Sequence, residues 1–371
     1  MKKVQRIDRL YEVLRVFLGI VIAYSICLVI IVLISGSEAW RTALYNFAIG
    51  PFTSRRRFAQ VLSRMAPYML TGCGMCFVYA SGRFSMIGEG IINIAPLPVL
   101  MLMFGSSFGQ TIMPGLPKII NQLIIVVICA VTGGLVSLIP AYGREKLGAS
   151  ETVTSIILNT VCLYVTLAVI RATIADRTSS FISTPLYPDN MRFTRYWNNT
   201  NLNEGIWFSI IGVIIACVLF YRTRIGVEIR ITGANATFAK YSGINTQINS
   251  FLGQIIGGIF AGVAGAVENF GAYNCYQVAT LTNIGMDGLI IAVMARKNPI
   301  FVPITAFVLA YIRTAAAVLN TNTNIPIELV TMLQAVSRRH RTSRPRRRLR
   351  PRQDIPNIKL MNLNKSGCTS R

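Results

Sequence analysis

RTRIGVEIRITGANATFAKYSGIN, residues Arg222 to Asn245, is a polar stretch between two long apolar runs, Ile206–Tyr221 and Ile248–Val267. Charged side chains at the centre of a bilayer cost about 2.5–3.5 kcal/mol each even on the most lenient scale. In a membrane protein, this stretch must therefore lie outside the hydrocarbon. The sharp alternation between apolar and polar segments indicates a chain that crosses the membrane several times.

The same stretch has the residues of a short, capped helix. Gly233 is expected to break the chain, and Asn235 or Thr237 can cap a helix over Ala236–Tyr241. Gly243 is expected to end that helix. A short helix across the mouth of a bundle is a surface that a membrane protein can offer to a partner in the water phase.

Composition supports a membrane protein. Of the 371 residues, 53% are hydrophobic and 14% are charged, with a mean hydropathy of +0.51. Soluble domains have about 25% charged residues. Apolar runs of about 20 residues can cross a hydrocarbon core of about 30 Å. We predict an all-α fold, a polytopic helical bundle with about nine or ten membrane segments that include discontinuous helices, in the cell membrane.

The order of charged and apolar segments predicts three regions. Residues 1–15 are basic and are expected to be a cytoplasmic N-terminal segment, residues 16–336 a transmembrane domain, and residues 337–371 a basic tail. The connection Pro140–Glu151 is expected to be a short basic loop. The predicted spans are Val16–Ile34, Ala66–Ala80, Ile119–Ile139, Thr152–Ile174, Ile206–Tyr221, Ile248–Val267 and Ile300–Ala315, followed by a turn at Asn320–Asn324 and a final helix from Ile325.

Two glycine-rich stretches stand out among the spans. Ser81–Asn93, SGRFSMIGEGIIN, has polar residues and glycines at membrane depth, which proteins tolerate where the backbone lines protein or a water-filled cavity. We predict a discontinuous helix here and expect four polar residues to line the solute route: Ser85, Glu89, Asn93 and Asn269. A plain loop between two spans is the alternative. Small residues at three- and four-residue intervals favour close helix packing, which we predict for Gly253, Gly257, Gly258, Gly262 and Gly265.

At Ser337 the sequence changes abruptly from apolar, membrane-like residues to a basic tail. Twelve Lys or Arg and a single Asp follow that position, so about half of the net charge of +23 belongs to the tail. A disordered tail at the membrane surface is one interpretation. An altered reading frame that replaces the end of the last span is another, and the break within a helix favours it. Without interleaved aromatic residues, the tail does not indicate nucleic-acid binding.

Several functions are disfavoured by residue usage. The only histidine, His340, lies in the tail, so no histidine-ligated metal or His-based catalytic dyad is expected in the bundle. Six of the eight cysteines fall in apolar runs, where a free thiol behaves as a small hydrophobe. The chain also lacks the G-x-x-x-x-G-K-[ST] loop that holds ATP phosphates. We therefore expect no metal, no bound cofactor and no enzymatic activity in this chain.

Four segments in this order resemble a known family: Phe84–Asn93, Leu147–Asn159, Thr223–Asn245 and Gly257–Pro299. The chain resembles the permease subunits of ABC importers for nucleosides and simple sugars, which work with basic-membrane-lipoprotein-type binding proteins. These permeases belong to the branched-chain amino acid and ribose type. The resemblance covers most of Ala66–Ala335, and the tail has no counterpart in the family.

This resemblance implies partners and a coupling element. Gly233–Ile244 would be the cytoplasmic helix that docks in a groove of a separate ABC ATPase, which would bind ATP and Mg. The other expected partners are a second, paralogous permease subunit, an extracytoplasmic substrate-binding lipoprotein and the lipid bilayer. No nucleic-acid partner is expected. The residues that the resemblance assigns to the coupling loop are Gly233, Asn235, Phe238, Lys240, Tyr241 and Gly243.

An ion-coupled secondary transporter is the alternative function. Such a protein would use buried carboxylates, for which Glu89, Glu268 and Asp287 are candidates. Proton-coupled uptake without an ATPase would support it. The residues leave open whether the solute is a nucleoside or a sugar, and whether the permease pair is homo- or heterodimeric.

Overall fold

The computed structural model describes Ser25 and residues 44–45, 47–105, 115–175, 182–196, 200–277 and 280–322. Apart from Ser25, the predicted first span Val16–Ile34 lies outside these residues. The predicted final helix from Ile325 and the basic tail from Ser337 also lie outside them.

The described residues form the all-α bundle that the sequence predicts. Their one β feature is an isolated antiparallel bridge between Arg195 and Asn203. The described α-helices of six or more residues are α1 Arg55–Ala80, α2 Gly88–Ile94, α3 Lys118–Leu147, α4 Glu151–Thr173, α5 Gly205–Arg222, α6 Arg224–Ala234, α7 Ala236–Tyr241, α8 Thr246–Val267, α9 Ile284–Met294 and α10 Val302–Asn322.

Seven described helices are long and apolar enough to cross a membrane. They are α1, α3, α4, α5, the run Gly88–Gly105 that begins with α2, the run Thr246–Ala272 that begins with α8, and the run Pro299–Leu319 that contains most of α10. The shorter α9 has 11 residues. At 1.5 Å per residue it is about 16 Å long, roughly half of a hydrocarbon core.

Helix α8 lies at the centre and packs mainly against α3 and α1. The five glycines predicted to pack occupy close contacts along it, where an added Cβ would meet a neighbouring helix. Such contacts allow helix backbones to approach closely in a membrane. The neighbours are Ser81 at Gly253, Val78 and Gly74 at Gly257, Gly133 and Ser137 at Gly258, Cys129 at Gly262, and Ile92 at Gly265.

The helix is interrupted within Ser81–Asn93, as both the predicted discontinuous helix and its alternative, a loop between two spans, require. Helix α1 ends at Ala80, and α2 begins at Gly88. The backbone between them is held by α4. Ser155 Oγ accepts a hydrogen bond from Met86 N at 3.0 Å, and Asn159 Nδ2 donates to Met86 O at 2.9 Å. Side chains of a neighbouring helix therefore replace the bonds that a continuous helix would form within itself.

Three predicted boundaries are wrong. Helix α1 begins at Arg55 rather than Ala66, because its early turns bury Ala59 and Val61 against the bundle. Helix α3 continues through Pro140 to Leu147, so the predicted loop at Pro140–Glu151 is only three residues long. An interior proline removes one backbone donor, and here the helix continues past it to Gly148, whose φ is +64°.

The third boundary concerns the end of α10. This helix extends to Asn322, so the turn predicted at Asn320–Asn324 does not begin at Asn320. The apolar pattern ends near Ala315, but the helix continues because Ala316, Val318 and Leu319 are still buried. Packing against the bundle, rather than hydropathy, determines where this helix ends.

Candidate functional site

The predicted short helix forms as α7, Ala236–Tyr241. Of the two proposed caps it uses Asn235, whose Oδ1 accepts a hydrogen bond from Phe238 N at 3.0 Å. Gly243 follows the helix with a φ of +77°, a backbone conformation that glycine adopts without strain. Ile244 N donates to Ala239 O at 2.9 Å, which closes the turn.

The outer face of α7 is aromatic and basic. Phe238 and Tyr241 are 59% and 89% exposed, and Lys240 is also exposed, whereas Ala239 is completely buried and attaches the helix to the bundle. Exposed aromatic rings on a short, well-capped helix are typical of anchors at protein interfaces. The arrangement can place two rigid rings in a groove of a partner.

Gly233 differs from the expectation that it breaks the chain. It lies within α6, and the helix ends after Ala234, where Asn235 adopts an extended conformation with φ −154°. A Cβ at Gly233 would collide with the carbonyl of Ala80, at the end of α1. Gly233 therefore permits a close contact between α6 and the end of α1.

Ion pairs connect the elements around α7. Arg83 pairs with Glu145 near the end of α3, and Gln247 Nε2 donates to Glu145 Oε2 at 3.3 Å. On α6, the Glu228 carboxylate accepts from Arg224 Nε at 2.7 Å and from Asn249 Nδ2 at 3.2 Å. Hydrogen bonds from the Arg224 and Asn249 side chains lower the pKa of the Glu228 carboxyl below its ordinary value.

Glu89 joins the starts of two short helices inside the bundle. It lies in the first turn of α2 and is 1% exposed. Its carboxylate accepts hydrogen bonds from Asn283 N at 2.6 Å, Gly285 N at 2.7 Å and Thr282 Oγ1 at 2.9 Å. Unpaired backbone donors at a helix start are expensive at membrane depth, and a carboxylate also matches the positive end of the helix dipole. The Glu89 side chain thus caps the N-terminus of α9 from a different helix.

A side chain of α4 accepts a hydrogen bond from the backbone at the start of α2. Asn159 Oδ1 accepts a hydrogen bond from Gly90 N at 2.8 Å. The two helix starts also touch, since a Cβ at Gly285 would collide with the backbone of Glu89. Two half-helices therefore meet at Glu89, each capped by a side chain from elsewhere in the bundle.

The other residues predicted for the solute route are buried around this junction. Asn93 Nδ2 donates to Glu89 O at 2.9 Å, and Asn269 Nδ2 donates to Gly265 O at 3.0 Å. Ser85 borders a void of about 20 Å³ together with Gln254. That volume holds about one water molecule. The structure brings Glu89 and Asn93 together, Asn269 Nδ2 donates to Ile92 O of the same helix at 3.4 Å, and Ser85 lies in the segment before that helix. The role of these four residues in transport stays a prediction.

A polar cavity of about 460 Å³ lies on the side of the junction away from α7. We call it the outer cavity. Arg64, Pro67 and Tyr68 contribute from α1, which runs from this region to the α7 end, where Ala80 meets Gly233. The remaining lining residues are Glu268, Tyr273, Gln277, Thr280, Thr282, Ile284 and Arg313.

A buried carboxylate fixes one wall of the outer cavity. Asp287, in the first turn of α9, accepts from Tyr68 OH at 2.7 Å and from Arg313 Nη2 at 2.6 Å. A paired and hydrogen-bonded charge is the form in which ions are retained inside proteins. Among the described residues, no group of three or more His, Cys, Asp or Glu side chains is placed to hold a metal ion.

Sequence reasoning missed most of the outer cavity. It considered Glu268 and Asp287 only as carboxylates of an ion-coupled transporter, and it assigned no role to Arg64, Tyr68 or Arg313. A usable signal was present, because Arg313 lies in an apolar helix, and a charge there usually marks a functional or water-facing position. The cavity itself depends on contacts between distant segments, which no local pattern contains.

Comparison with known proteins agrees with this architecture. A family model described as "Branched-chain amino acid transport system / permease component" matches residues 57–336. A nucleoside ABC transporter permease protein of Lactococcus lactis, NupB, is 26% identical over 87% of this chain and 89% of its own. The guanosine ABC transporter permease protein NupP of Bacillus subtilis is 23% identical over 83% and 86%.

A third relative, the glucose ABC transporter permease protein TsgB13 of Haloferax volcanii, is 21% identical over 76% of this chain and 75% of its own. No solved structure matches. The matching model covers most of the chain and all seven long apolar helices except the first two residues of α1. The chain is a multi-pass protein of the plasma membrane and belongs to the permease components of the branched-chain amino acid transport system family.

Proposed function

We propose that this chain is a membrane subunit of an ATP-driven importer for a nucleoside or a simple sugar. The solute class is supported by the relatives, two of which are named for nucleosides or guanosine and one for glucose. The first two resemble this chain over more than four fifths of both sequences. The family name refers to branched-chain amino acids, whereas these three relatives are named for other solutes.

The proposal that transport is driven by ATP rests on the exposed helix α7. This capped helix of 6 residues presents Phe238 and Tyr241 to solvent between two membrane segments. A separate ATPase would seat α7 in a groove, and ATP-driven closure of the ATPase pair would move α5 and α8 through it. This chain would bind no ATP, Mg or other cofactor and would catalyse no reaction.

Two further partners complete the proposal. An extracytoplasmic lipoprotein would deliver the solute at the end of the bundle opposite α7. A second, paralogous permease would face Arg64 and the outer cavity, since charged groups at membrane depth require protein or water rather than lipid. No nucleic-acid partner is proposed.

Ion-coupled transport is the less favoured function. Two of its three candidate carboxylates have partners in the bundle: Glu89 caps α9, and Asp287 pairs with Tyr68 and Arg313. A carboxylate that carries a coupling ion must release these contacts in each cycle, at a large cost in a buried site. The family assignment also favours a permease component.

Reconstitution tests the proposed function. The permease, its ATPase and its binding lipoprotein are placed in liposomes, and uptake of radiolabelled guanosine and of glucose is measured. We expect uptake of one of them that requires ATP on the ATPase side and continues when ionophores remove the proton and Na⁺ gradients. Uptake that stops with the ionophores and continues without ATP would establish ion coupling instead.

A further inference from the structure

We propose that the outer cavity is a solute subsite that accepts neutral, hydroxyl-rich molecules and rejects anionic ones. This inference rests on the proposed function and adds the place and the chemistry of recognition. The cavity volume of about 460 Å³ lies within the range of about 300–1,000 Å³ that is usual for small-molecule sites.

The position of the outer cavity is suited to a solute route. Arg64 and Tyr68 belong to membrane-crossing α1, and Arg313 belongs to α10. Charged side chains within such helices normally face a water-filled space or another protein segment. The outer cavity gives Arg64 and Arg313 this environment, so that an entering solute meets polar groups in place of lipid.

The charges of the outer cavity balance. Arg313 lines it but is already paired with Asp287. Arg64 and Glu268 both line the cavity, so a carboxyl group accompanies the second cation. The two cations are therefore offset by two carboxylates. An entering phosphate would bring negative charge that no surplus cation in the cavity neutralises, and a buried, uncompensated charge is costly.

The lining offers both donors and acceptors to a neutral solute. Glu268 supplies a carboxylate acceptor, while Arg64, Gln277 and the hydroxyls of Thr280 and Thr282 supply donors. Sugar hydroxyls both donate and accept, so they can pair with each of these groups. The rings of Tyr68 and Tyr273, with Pro67 and Ile284, add the apolar surface on which a flat base or the face of a sugar can pack.

The floor of the outer cavity is the start of α9. Thr282 and Ile284 line the cavity, and the Thr282 hydroxyl is held by Glu89. Beyond Ile284, Gly285 borders the void of about 20 Å³ next to Ser85. Since that void holds about one water molecule, a solute of nucleoside or sugar size stops at this floor.

Direct binding tests the subsite without the lipoprotein, whose own affinity would mask it. Radiolabelled guanosine and glucose are titrated onto the permease–ATPase complex in nanodiscs. We expect Glu268→Gln to weaken Kd about tenfold or more, and Tyr273→Phe to weaken it several-fold, because each substitution removes a polar group that the cavity offers to the solute. The matched control is Tyr164→Phe on α4, whose ring is 64% exposed outside the cavity, and its Kd should not change.

Selectivity between neutral and phosphorylated solutes distinguishes a binding role of Glu268 from a purely structural one, because a structural role would leave that selectivity unchanged. Guanosine monophosphate and glucose 6-phosphate should not compete with the neutral solutes on the unsubstituted complex. They should compete on Glu268→Gln, in which Arg64 loses its compensating carboxylate. If Glu268→Gln only caused part of the protein to misfold, the number of binding sites would fall while Kd and the rejection of phosphates stayed the same. That result would contradict the subsite.

The two proposals fail differently. If the complete transporter takes up neither guanosine nor glucose, the proposed function is overturned, and the subsite with it. If it takes up one of them but the membrane complex does not bind that solute, the subsite alone is wrong. Equal Kd values and equal phosphate rejection in the Glu268→Gln and unsubstituted complexes also overturn the subsite alone.

Discussion

At the scale of single residues, Glu89 has a structural task as well as the predicted place on the solute route. Its carboxylate satisfies two backbone N–H groups and one hydroxyl at the start of α9, in a site that is 1% exposed. Leaving a buried donor without a partner costs about 1–3 kcal/mol. Removing this carboxylate should therefore affect stability first, and transport through the floor of the outer cavity second.

Two substitutions separate these effects. We expect Glu89→Ala to lower the thermal midpoint of the purified permease strongly, because it orphans several donors at once. Glu89→Gln retains an acceptor oxygen and should lower the midpoint much less, while solute uptake still falls. Asp189→Ala, at an exposed loop position, is the control. Unchanged stability of Glu89→Ala would contradict the capping role, and unchanged uptake by Glu89→Gln would contradict the predicted role in the route.

The environment of Glu204, just before α5, leads us to predict that the stability of the fold depends on pH. Burial acts to raise the pKa of this carboxyl, but hydrogen bonds from Thr194 and Gln122 outweigh it, and the pKa lies below its ordinary value. Gln122 Nε2 donates at 2.6 Å and Thr194 Oγ1 at 2.6 Å. A carboxyl with a lowered folded-state pKa stabilises the fold above its unfolded pKa of about 4.3, and this stabilisation is lost as pH falls through the folded pKa.

We therefore expect Glu204→Gln to lower the free energy of unfolding at pH 7 by about 1 kcal/mol, a modest value because the group is partly exposed. Between pH 7 and the acid range, the variant should lose less stability than the unsubstituted protein, since it has no carboxylate to protonate there. Thermal midpoints measured across that pH range check the difference. Asp189→Asn, in the same loop, should follow the unsubstituted protein, and parallel curves for Glu204→Gln would contradict the prediction.

At the scale of helices, α7 is the element proposed to connect the bundle to a separate ATPase. Ala239 attaches it to the bundle, while Phe238 and Tyr241 point to solvent. Truncating one interface anchor typically costs about 2 kcal/mol or more, about a 30-fold loss of affinity. Phe238→Ala/Tyr241→Ala should therefore reduce co-purification of the ATPase and abolish uptake, whereas solute binding in the outer cavity should persist.

The control for this pair is Tyr142→Ala, which removes an aromatic ring of 56% exposure near the end of α3. It should leave co-purification unchanged if α7 alone carries the coupling contact. Full recovery of the ATPase with the double variant, together with normal uptake, would mean that α7 is not the coupling element.

The contrast between α7 and α9 explains what sequence reasoning could and could not predict. The α7 cap is local, because Asn235 bonds to a backbone group three residues later, and the bounds of α7 were predicted correctly. The α9 cap comes from Glu89, 194 residues before Asn283 in the chain. Hydropathy likewise located the spans but not the ends of α1, α3 and α10, which depend on tertiary packing and on Gly148.

At the scale of the whole molecule, the bundle has two distinct polar ends. One gathers α7 and the end of α3, and there Gln247, at the start of α8, donates a hydrogen bond of 3.3 Å to Glu145 of α3. The other contains the loop before α5, where Ser63 Oγ of α1 donates to Asn201 O at 2.9 Å. From the sequence we also predict that Arg222–Asn245 and Pro140–Glu151 lie in the cytoplasm and Ala175–Gly205 outside, and the side of the membrane on which each end lies stays a prediction.

Absolute orientation needs a chemical measurement, because basic residues occur at both ends. Ala239 would be a poor labelling site, since it is completely buried, whereas Lys240 and Asp189 are exposed. In a background without the eight native cysteines, an impermeant maleimide should label Asp189→Cys in intact cells. Lys240→Cys and Lys146→Cys should react only after permeabilisation, because an ATPase works where ATP is present. If Lys240→Cys reacts in intact cells, α7 faces away from the ATP supply and cannot be the coupling element.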